Sequence, residues 1–125
     1  MDKFLNECID ALGEGKEIYD EERSTAAFNK FLETFSFALT EINWEKYPDH
    51  KVISNPKDLK DMDLDECFIF WNDRTLPVVK TTFEQTRRCQ KKIAALSLFT
   101  WIVGANYDWA LEFHSDGTIR FTFGI

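Results

Sequence analysis

The chain has 125 residues, of which 44% are hydrophobic and 12 are phenylalanine, and its formal net charge is −7. This length and composition fit one folded domain with a single core and exclude a disordered chain. No apolar run reaches the roughly 18 residues of a membrane span, and charges interrupt the N-terminal segment where a signal peptide needs an unbroken apolar stretch. We therefore expect one cytoplasmic domain over residues 1–125 and no membrane partner.

The acidic residues are concentrated in the first half of the chain. Residues 1–66 contain 17 Asp or Glu against 8 Lys or Arg, whereas residues 67–125 contain 5 against 7. Such a field repels nucleic acid and attracts a basic protein. The pattern predicts a protein partner and no nucleic acid, although ordinary solubility charge would produce the same composition.

Two helices are predicted in the N-terminal part. The first begins with Asp2 as its N-cap and stops at Gly13–Gly15. A short extended piece, Lys16–Tyr19, follows. Asp20–Glu22 then places negative charge on the first turn of a second helix, where the helix dipole favours it. Its apolar positions recur at spacings of three and four: Ala27, Phe28, Phe31, Leu32 and Phe35.

The middle of the chain is less regular. Residues 37–44 fit neither the helical nor the strand period, and 50–54 suits a short strand or a loop. Residues 57–65 form a charged stretch of low order. The apolar run Cys67–Trp71 is short enough for a strand that is covered on both faces.

A further helix is predicted over Thr82–Leu96, with Thr81 or Thr82 as its cap. Its exposed side carries four basic residues, Arg87, Arg88, Lys91 and Lys92. This patch suits a phosphate-binding face or, as the acidic chain favours, a solvated surface.

Three alternating runs at the C-terminus, 98–103, 107–113 and 118–123, predict an antiparallel meander. A three-residue loop closed by Gly117 in the left-handed region pairs Phe113 with Ile119, and a similar loop with Asn106 in that region pairs Trp101 with Trp109. The predicted inner face holds Phe99, Trp101, Val103, Tyr107, Trp109, Leu111, Phe113, Ile119, Phe121 and Phe123. The predicted outer face holds Thr100, Asp108, Ala110, Glu112, Arg120 and Thr122.

The predicted fold class is α+β, an antiparallel β-meander in the C-terminal half packed against N-terminal helices and one inserted helix. The helices are expected to cover one face of the sheet.

Few residues suggest chemistry. His114, Ser115 and Asp116 could form an acid–base or metal cluster, but turn-forming residues at a hairpin tip are the simpler interpretation. The acidic row from Asp61 to Glu66 resembles a calcium loop yet lacks the required Gly and the terminal Glu. No nucleotide-binding or nucleophile motif is present, and three unpaired cysteines predict reduced thiols. We predict no catalytic residue, no cofactor and no metal; an enzyme that uses His114 is the less favoured alternative.

Several motifs in the second half resemble a family of bacterial immunity proteins from contact-dependent growth inhibition systems. They are Phe70–Asp73, Leu76–Thr81, Phe99–Val103 and Leu111–Ile119. In these systems an immunity protein holds a delivered toxin domain, often a nuclease, inactive. The resemblance implies the same role here: a non-enzymatic inhibitor that binds its cognate toxin, with contact residues that vary between cognate pairs.

Charge placement predicts where the toxin binds. A nuclease exposes a basic cleft for phosphates, which exposed carboxylates can occupy in place of its substrate. The expected contacts are the two acidic tracts and an apolar anchor in each, with one toxin per immunity protein: Tyr19, Asp20, Glu21, Glu22, Asp58, Asp61, Met62, Asp63, Asp65 and Glu66. The alternative is an acidic interaction module, such as a nucleic-acid mimic or small regulator, that binds another basic protein.

Overall fold

The structure is a computed structural model that describes residues 3–54, 58–59, 62 and 64–123. The described α-helices are α1 (Lys3–Leu12), α2 (Glu21–Thr34), α3 (Phe83–Arg88) and α4 (Gln90–Ala94). The described strands are β1 (Glu17–Ile18), β2 (Phe37–Ala38), β3 (Glu41–Ile42), β4 (Lys51–Ile53), β5 (Glu66–Trp71), β6 (Val79–Thr82), β7 (Phe99–Gly104), β8 (Trp109–His114) and β9 (Ile119–Phe123). A 3-10 turn occupies Trp44–Lys46. The α+β class is confirmed.

The end of α1 and the beginning of α2 lie at the residues that the sequence indicates. Gly13 adopts φ +71° directly after α1 and its N–H bonds to the carbonyl of Asp10, as a helix stop should. The side chain of Asp20 caps α2 by accepting a hydrogen bond from the backbone N–H of Arg23. The predicted cap of α1, Asp2, lies outside the described residues.

In the described part of the chain, seven strands form one antiparallel sheet in the order β1-β6-β5-β7-β8-β9-β4, and β2 and β3 form a separate hairpin. Strands β7, β8 and β9 are the predicted meander. The N-terminal strand β1 pairs with β6 at one edge, and β4 pairs with β9 at the other.

Both faces of the sheet are buried, so the expectation that helices cover one face is wrong. Residues of α1, α3 and α4 pack on one face in a core that includes Ile69, Ile102 and Leu111. Residues of α2 and the 3-10 turn pack on the other, around Phe70 and Trp101. Alternation along a strand therefore sends apolar side chains into two cores, and β5 is buried on both sides as its continuous apolar run predicts.

The hairpin between β8 and β9 has the predicted geometry. Gly117 adopts φ +94° and its N–H bonds to the carbonyl of His114 at 3.0 Å, which closes the type I turn. The predicted pairs are confirmed: Phe113 with Ile119, Leu111 with Phe121, Trp109 with Phe123, and Glu112 with Arg120.

The predicted register between β7 and β8 is wrong. Trp101 lies opposite Glu112 rather than Trp109, a shift of three residues along β8. The positive φ of this turn falls on Tyr107, at +59°, and not on Asn106. The indole of Trp109 fills the space beside Gly104, where an added Cβ would lie 2.5 Å from the indole nitrogen. An odd shift moves Trp101 and Trp109 to opposite faces of the sheet.

Most residues of the face that was expected to be exposed to solvent are also buried. Of that set, Ala110, Glu112 and Thr122 are buried on the face that α2 and the segment after it cover, whereas Thr100 pairs with Phe113 and is buried on the opposite face. Asp108 is exposed and Arg120 is half-buried, whereas Phe123, expected in the core, is 65% exposed. The carboxylate of Glu112 is thus in the interior and not in water.

The predicted helix over Thr82–Leu96 is two short helices. Thr82 caps α3, its hydroxyl accepting from the N–H of Gln85. The helix breaks at Cys89, whose thiol donates to the carbonyl of Ala11 in α1 at 3.2 Å. Residues 37–44, which fit neither period, form the β2–β3 hairpin and lead into the 3-10 turn.

Candidate functional site: an acidic edge and a carboxylate-lined cavity

The first predicted acidic tract lies at the N-terminus of α2. The Oδ1 atom of Asp20 accepts the hydrogen bond from the N–H of Arg23 at 2.8 Å. Glu21 and Glu22 are exposed on the first turn, where the helix dipole favours negative charge. The tract is consequently fixed on the rigid end of a helix rather than on a loose loop.

Tyr19, a predicted anchor, is half-buried beside this tract. Its ring meets Phe68 edge-on, with centroids 5.7 Å apart, and the guanidinium of Arg23 lies 3.9 Å from its centroid. An ion pair also joins Arg23 to Glu17 at 2.8 Å. Part of the Tyr19 ring is therefore accessible to a partner, and the rest of it contacts residues of this protein.

The second predicted tract is described only in part, because Asp61 and Asp63 lie outside the described residues. Asp58, Asp65 and Glu66 are exposed. Glu66 forms an ion pair with Lys80 at 3.3 Å, and its side chain is 61% exposed. The predicted anchor between them, Met62, is half-buried and packs against the core that contains α1.

Strand pairing places parts of the two tracts on the same side of the sheet: the first tract follows β1, the edge strand, and the second leads into β5, the third strand of the sheet order. The N–H of Tyr19 bonds to the carbonyl of Val78, the residue before β6, at 2.9 Å. Glu66 pairs with Thr82, the last residue of β6 and four residues after Val78. Four residues of strand span about 13 Å. We call this surface the acidic edge; its carboxylates are those of Glu17, Asp20, Glu21, Glu22, Asp65 and Glu66.

A second site, which the sequence did not reveal, is centred on Glu112. This residue is fully buried, and its carboxylate accepts four hydrogen bonds. The Oε2 atom accepts from the N–H of Ile42 and from Nε1 of Trp101, each at 2.8 Å. The Oε1 atom accepts from Nε1 of Trp44 at 2.9 Å and contacts Nε2 of His114 at 2.6 Å. All lone-pair positions of the carboxylate are thus in use.

This arrangement braces the β2–β3 hairpin against the sheet. Ile42 and Trp44 belong to the segment that follows α2, whereas Glu112 and Trp101 are neighbours on β8 and β7. A buried carboxylate that is fully hydrogen-bonded is stable, but the loss of an acceptor leaves several buried donors unpaired. Glu112 therefore fixes the position of a hairpin that has only two residues in each strand.

The group of Glu41, Glu112 and His114 has the side-chain types of a metal site, and its ligand atoms lie within 4.8 Å of one another. Two ligands on one zinc ion stand about 3 Å or more apart, because each is about 2 Å from the ion. The 2.6 Å separation of His114 and Glu112 is too short for that, and Glu112 has no lone pair to spare. The geometry favours a hydrogen-bonded cluster.

The interpretation of His114–Asp116 as turn-forming residues fits the structure. His114 turns towards Glu112, and Asp116 instead accepts a hydrogen bond from the N–H of Thr118 at 2.9 Å. The hydrogen bonds from Thr118 hold the pKa of the Asp116 carboxyl below its usual value. His114 and Asp116 thus have separate hydrogen-bond partners, Glu112 and Thr118.

A cavity of about 690 Å³ opens between the β2–β3 hairpin and the β8–β9 turn. Three carboxylates at its walls are partly or fully exposed, those of Glu41, Glu45 and Asp116. The cation at its wall is Arg120, whose Nη1 lies 2.8 Å from Nε2 of His50. We call this feature the hairpin cavity.

The basic patch and the cysteines lie elsewhere. Arg88, Lys91 and Lys92 are exposed on α3 and α4, and Arg87 is half-buried. All three cysteines are buried free thiols. Burial raises the pKa of Cys8 to about 11 and that of Cys67 to about 12, which keeps both protonated and unreactive at neutral pH.

One sequence signal could have revealed the Glu112 site. Glu112 stands between Leu111 and Phe113 in a run that is otherwise apolar, and a lone acid in such a run indicates a buried, partnered carboxylate if both faces are covered. The prediction that one face of the sheet is exposed to solvent excluded this interpretation of Glu112. The partners Ile42 and Trp44 are 70 and 68 residues away in sequence, and no local pattern links them to β8.

Taken together, the fold is an antiparallel sheet covered by helices on both faces, and two of its surfaces carry exposed carboxylates. This defines an acidic α+β protein with two candidate binding surfaces. Among the described helices, none is long and apolar enough to cross a membrane.

A comparison with known protein families matches residues 2–122 to the family described as CdiI immunity protein, EcoliA0-like, and the chain therefore belongs to that family. It is an immunity protein of a contact-dependent growth inhibition system, as the motifs of its second half predict, and its partner is the cognate toxin. A comparison with curated proteins finds no significant match.

Proposed function

We propose that this immunity protein neutralises its cognate toxin by covering a basic surface of the toxin domain with the acidic edge, and that the toxin is a nuclease. The observation that carries this is the exposure of carboxylates from two tracts distant in sequence on the β1–β6–β5 side of the sheet. Carboxylates there can occupy the phosphate positions of a nuclease cleft. The protein acts by occlusion and carries out no catalysis of its own.

The proposed contact surface comprises the predicted residues of both tracts. Tyr19 and Met62 supply apolar area within it, and the second tract as predicted includes Asp61 and Asp63, which lie outside the described residues. A stable complex of this kind buries roughly 800 Å² on each partner. We propose one toxin domain per immunity protein. Family membership favours this partner over another basic cellular protein.

Charge reversal at the acidic edge is expected to slow association with the toxin. In the triple variant Glu21→Lys, Glu22→Lys, Asp65→Lys, the attraction that steers a basic partner becomes repulsion, and the association rate falls about tenfold or more at low salt. The difference shrinks as salt is raised, because ions screen exposed charges. Stopped-flow or biosensor kinetics with the purified toxin domain measures both effects.

The matched control is a second triple variant, which changes the net charge by the same amount on another surface. Glu7, Asp10 and Glu33 are exposed on α1 and near the end of α2. Their reversal to lysine is expected to slow association by no more than about threefold, through net charge alone. Equal slowing by the two triple variants would mean that the acidic edge is not the contact surface.

A further inference from the structure

One leucine occupies an unusual position in the turn between Ala38 and Glu41, two residues that line the hairpin cavity. Leu39 is 100% exposed and adopts φ +58° in the turn between β2 and β3. A left-handed conformation is unfavourable for a residue with a side chain of this size, and turns usually place Gly, Asn or Asp there. Full exposure of a large apolar side chain adds a second cost. Strain of this kind persists where the surrounding structure enforces it, and it is characteristic of binding sites.

The hairpin that presents Leu39 is rigidly held. The N–H of Asn43 bonds to the carbonyl of Ser36 at 2.8 Å across its base, and Ile42 is fixed by the buried carboxylate of Glu112. The ring of Phe37 packs edge-on against Phe31, with centroids 5.1 Å apart. A side chain held on a fixed frame loses little conformational freedom when a partner covers it.

Next to Leu39 the hairpin cavity is lined by acid. Glu41 is on the same hairpin and its side chain is 44% exposed, and Glu45 and Asp116 are exposed at the wall. Arg120 is the opposing cation, and its guanidinium is hydrogen-bonded to the ring of His50. The three accessible carboxylates outnumber it. A guanidinium or ammonium group from a partner would therefore meet acceptors on more than one side.

We propose that the hairpin cavity is a binding site for a basic side chain of the cognate toxin domain, with Leu39 as the apolar anchor at its rim. This rests on the proposed function, since it names the toxin as the partner. A few residues carry most of the binding energy of an interface, and arginine in a well-packed pocket is one of the residue types enriched among them.

The hairpin cavity and the acidic edge can face the same toxin domain. In the sheet order, β1 is separated from β8 by four strand spacings, about 19 Å. An interface of roughly 800 Å² per partner is wide enough to include both. Exposed charges of the acidic edge act mainly on association, whereas a buried anchor acts mainly on dissociation. The two surfaces therefore have separable kinetic signatures.

The experiment measures dissociation of the purified cognate toxin domain from the full-length immunity protein. Leu39→Gly removes the anchor and suits the positive φ, so the melting temperature is expected to be retained while dissociation becomes about tenfold faster or more. Glu41→Gln, which removes one acceptor charge, is expected to act in the same direction. Leu39→Asn, also compatible with this backbone, provides a second test of the anchor.

Leu32→Gln and Glu33→Gln, both at exposed positions on α2, are the matched controls and are expected to dissociate like the wild type. If the wild type binds tightly and the Leu39 and Glu41 variants dissociate at its rate, the hairpin cavity is not part of the interface, and the proposed function stands. If the wild type does not bind the toxin domain, the proposed function fails and this proposal fails with it.

Discussion

Replacement of Glu112 with alanine is expected to lower the free energy of unfolding by about 3–5 kcal/mol, the range seen when one partner of a buried charged network is removed. The change leaves the N–H groups of Ile42, Trp44 and Trp101 buried without their acceptor. It also leaves a cavity between the hairpin and the sheet. Urea denaturation followed by tryptophan fluorescence measures the loss, because two of the donors are indoles.

Two further variants separate the contribution of the Glu112 hydrogen bonds to stability from that of neighbouring residues. Glu41→Ala changes a neighbouring acid whose side chain is 44% exposed, and its effect is expected to stay within about 0.5 kcal/mol. Glu112→Gln keeps the shape but directs an NH₂ group towards some of the donors, so it is expected to be destabilising and milder than alanine. A Glu112→Ala protein as stable as Glu41→Ala would show that the buried carboxylate does not brace the hairpin.

Replacement of Phe31 with alanine is expected to cost about 3–5 kcal/mol, as for other fully buried aromatic residues. Phe31 is 0% exposed and lies at the centre of the core beneath α2. Its ring contacts those of Phe28, Phe35, Phe37, Phe70 and Trp101, at centroid distances between 4.9 and 6.2 Å. This loss is a large part of the stability of a small domain and is measurable by thermal or denaturant unfolding.

Phe123→Ala is the matched control for this core variant. Phe123 is 65% exposed and contacts the ring of Phe121 at 4.9 Å. Its truncation is expected to cost less than about 1 kcal/mol, because little apolar area is removed from water at this position in the folded state. Comparable losses for the two variants would contradict the placement of Phe31 at the centre of a packed core.

Local signals in the sequence predicted the local structure well. Gly13 and Gly117 mark a helix stop and a hairpin turn, because both need a positive φ that glycine adopts without strain. Asp20 marks the start of α2 by its ability to cap a backbone N–H. These features depend on residues within a few positions of one another, so the sequence alone contains them.

Features that depend on distant segments were not predictable in the same way. The β7–β8 register was chosen on the assumption of one apolar face, but with both faces buried the alternation along Phe99–Gly104 is compatible with either register. The positive φ values of Leu39 and Tyr107 are contrary to the conformational preference of both residues, so no local pattern indicates them. Glu112 resembled a solvent-facing residue until its partners from the segment after α2 were placed over it.

The contact residues for the toxin are a separate matter from the fold. The two acidic tracts were predicted as contact residues from charge placement alone, and the structure adds the exposure of their described residues. The hairpin cavity required coordinates, because its lining residues Glu41 and Asp116 come from two hairpins far apart in sequence. The identity of such surface residues depends on the partner that they bind rather than on the fold. Local sequence patterns therefore carry little information about them.

The most direct measurement is co-purification of the tagged protein with its co-expressed cognate toxin domain, followed by light scattering and an assay of the toxin's activity in the isolated complex. We expect a stable complex of one toxin domain with one immunity protein, in which the toxin is inactive and regains activity when the two are separated. Failure of the two proteins to associate, or an intact complex in which the toxin remains fully active, would contradict neutralisation by binding.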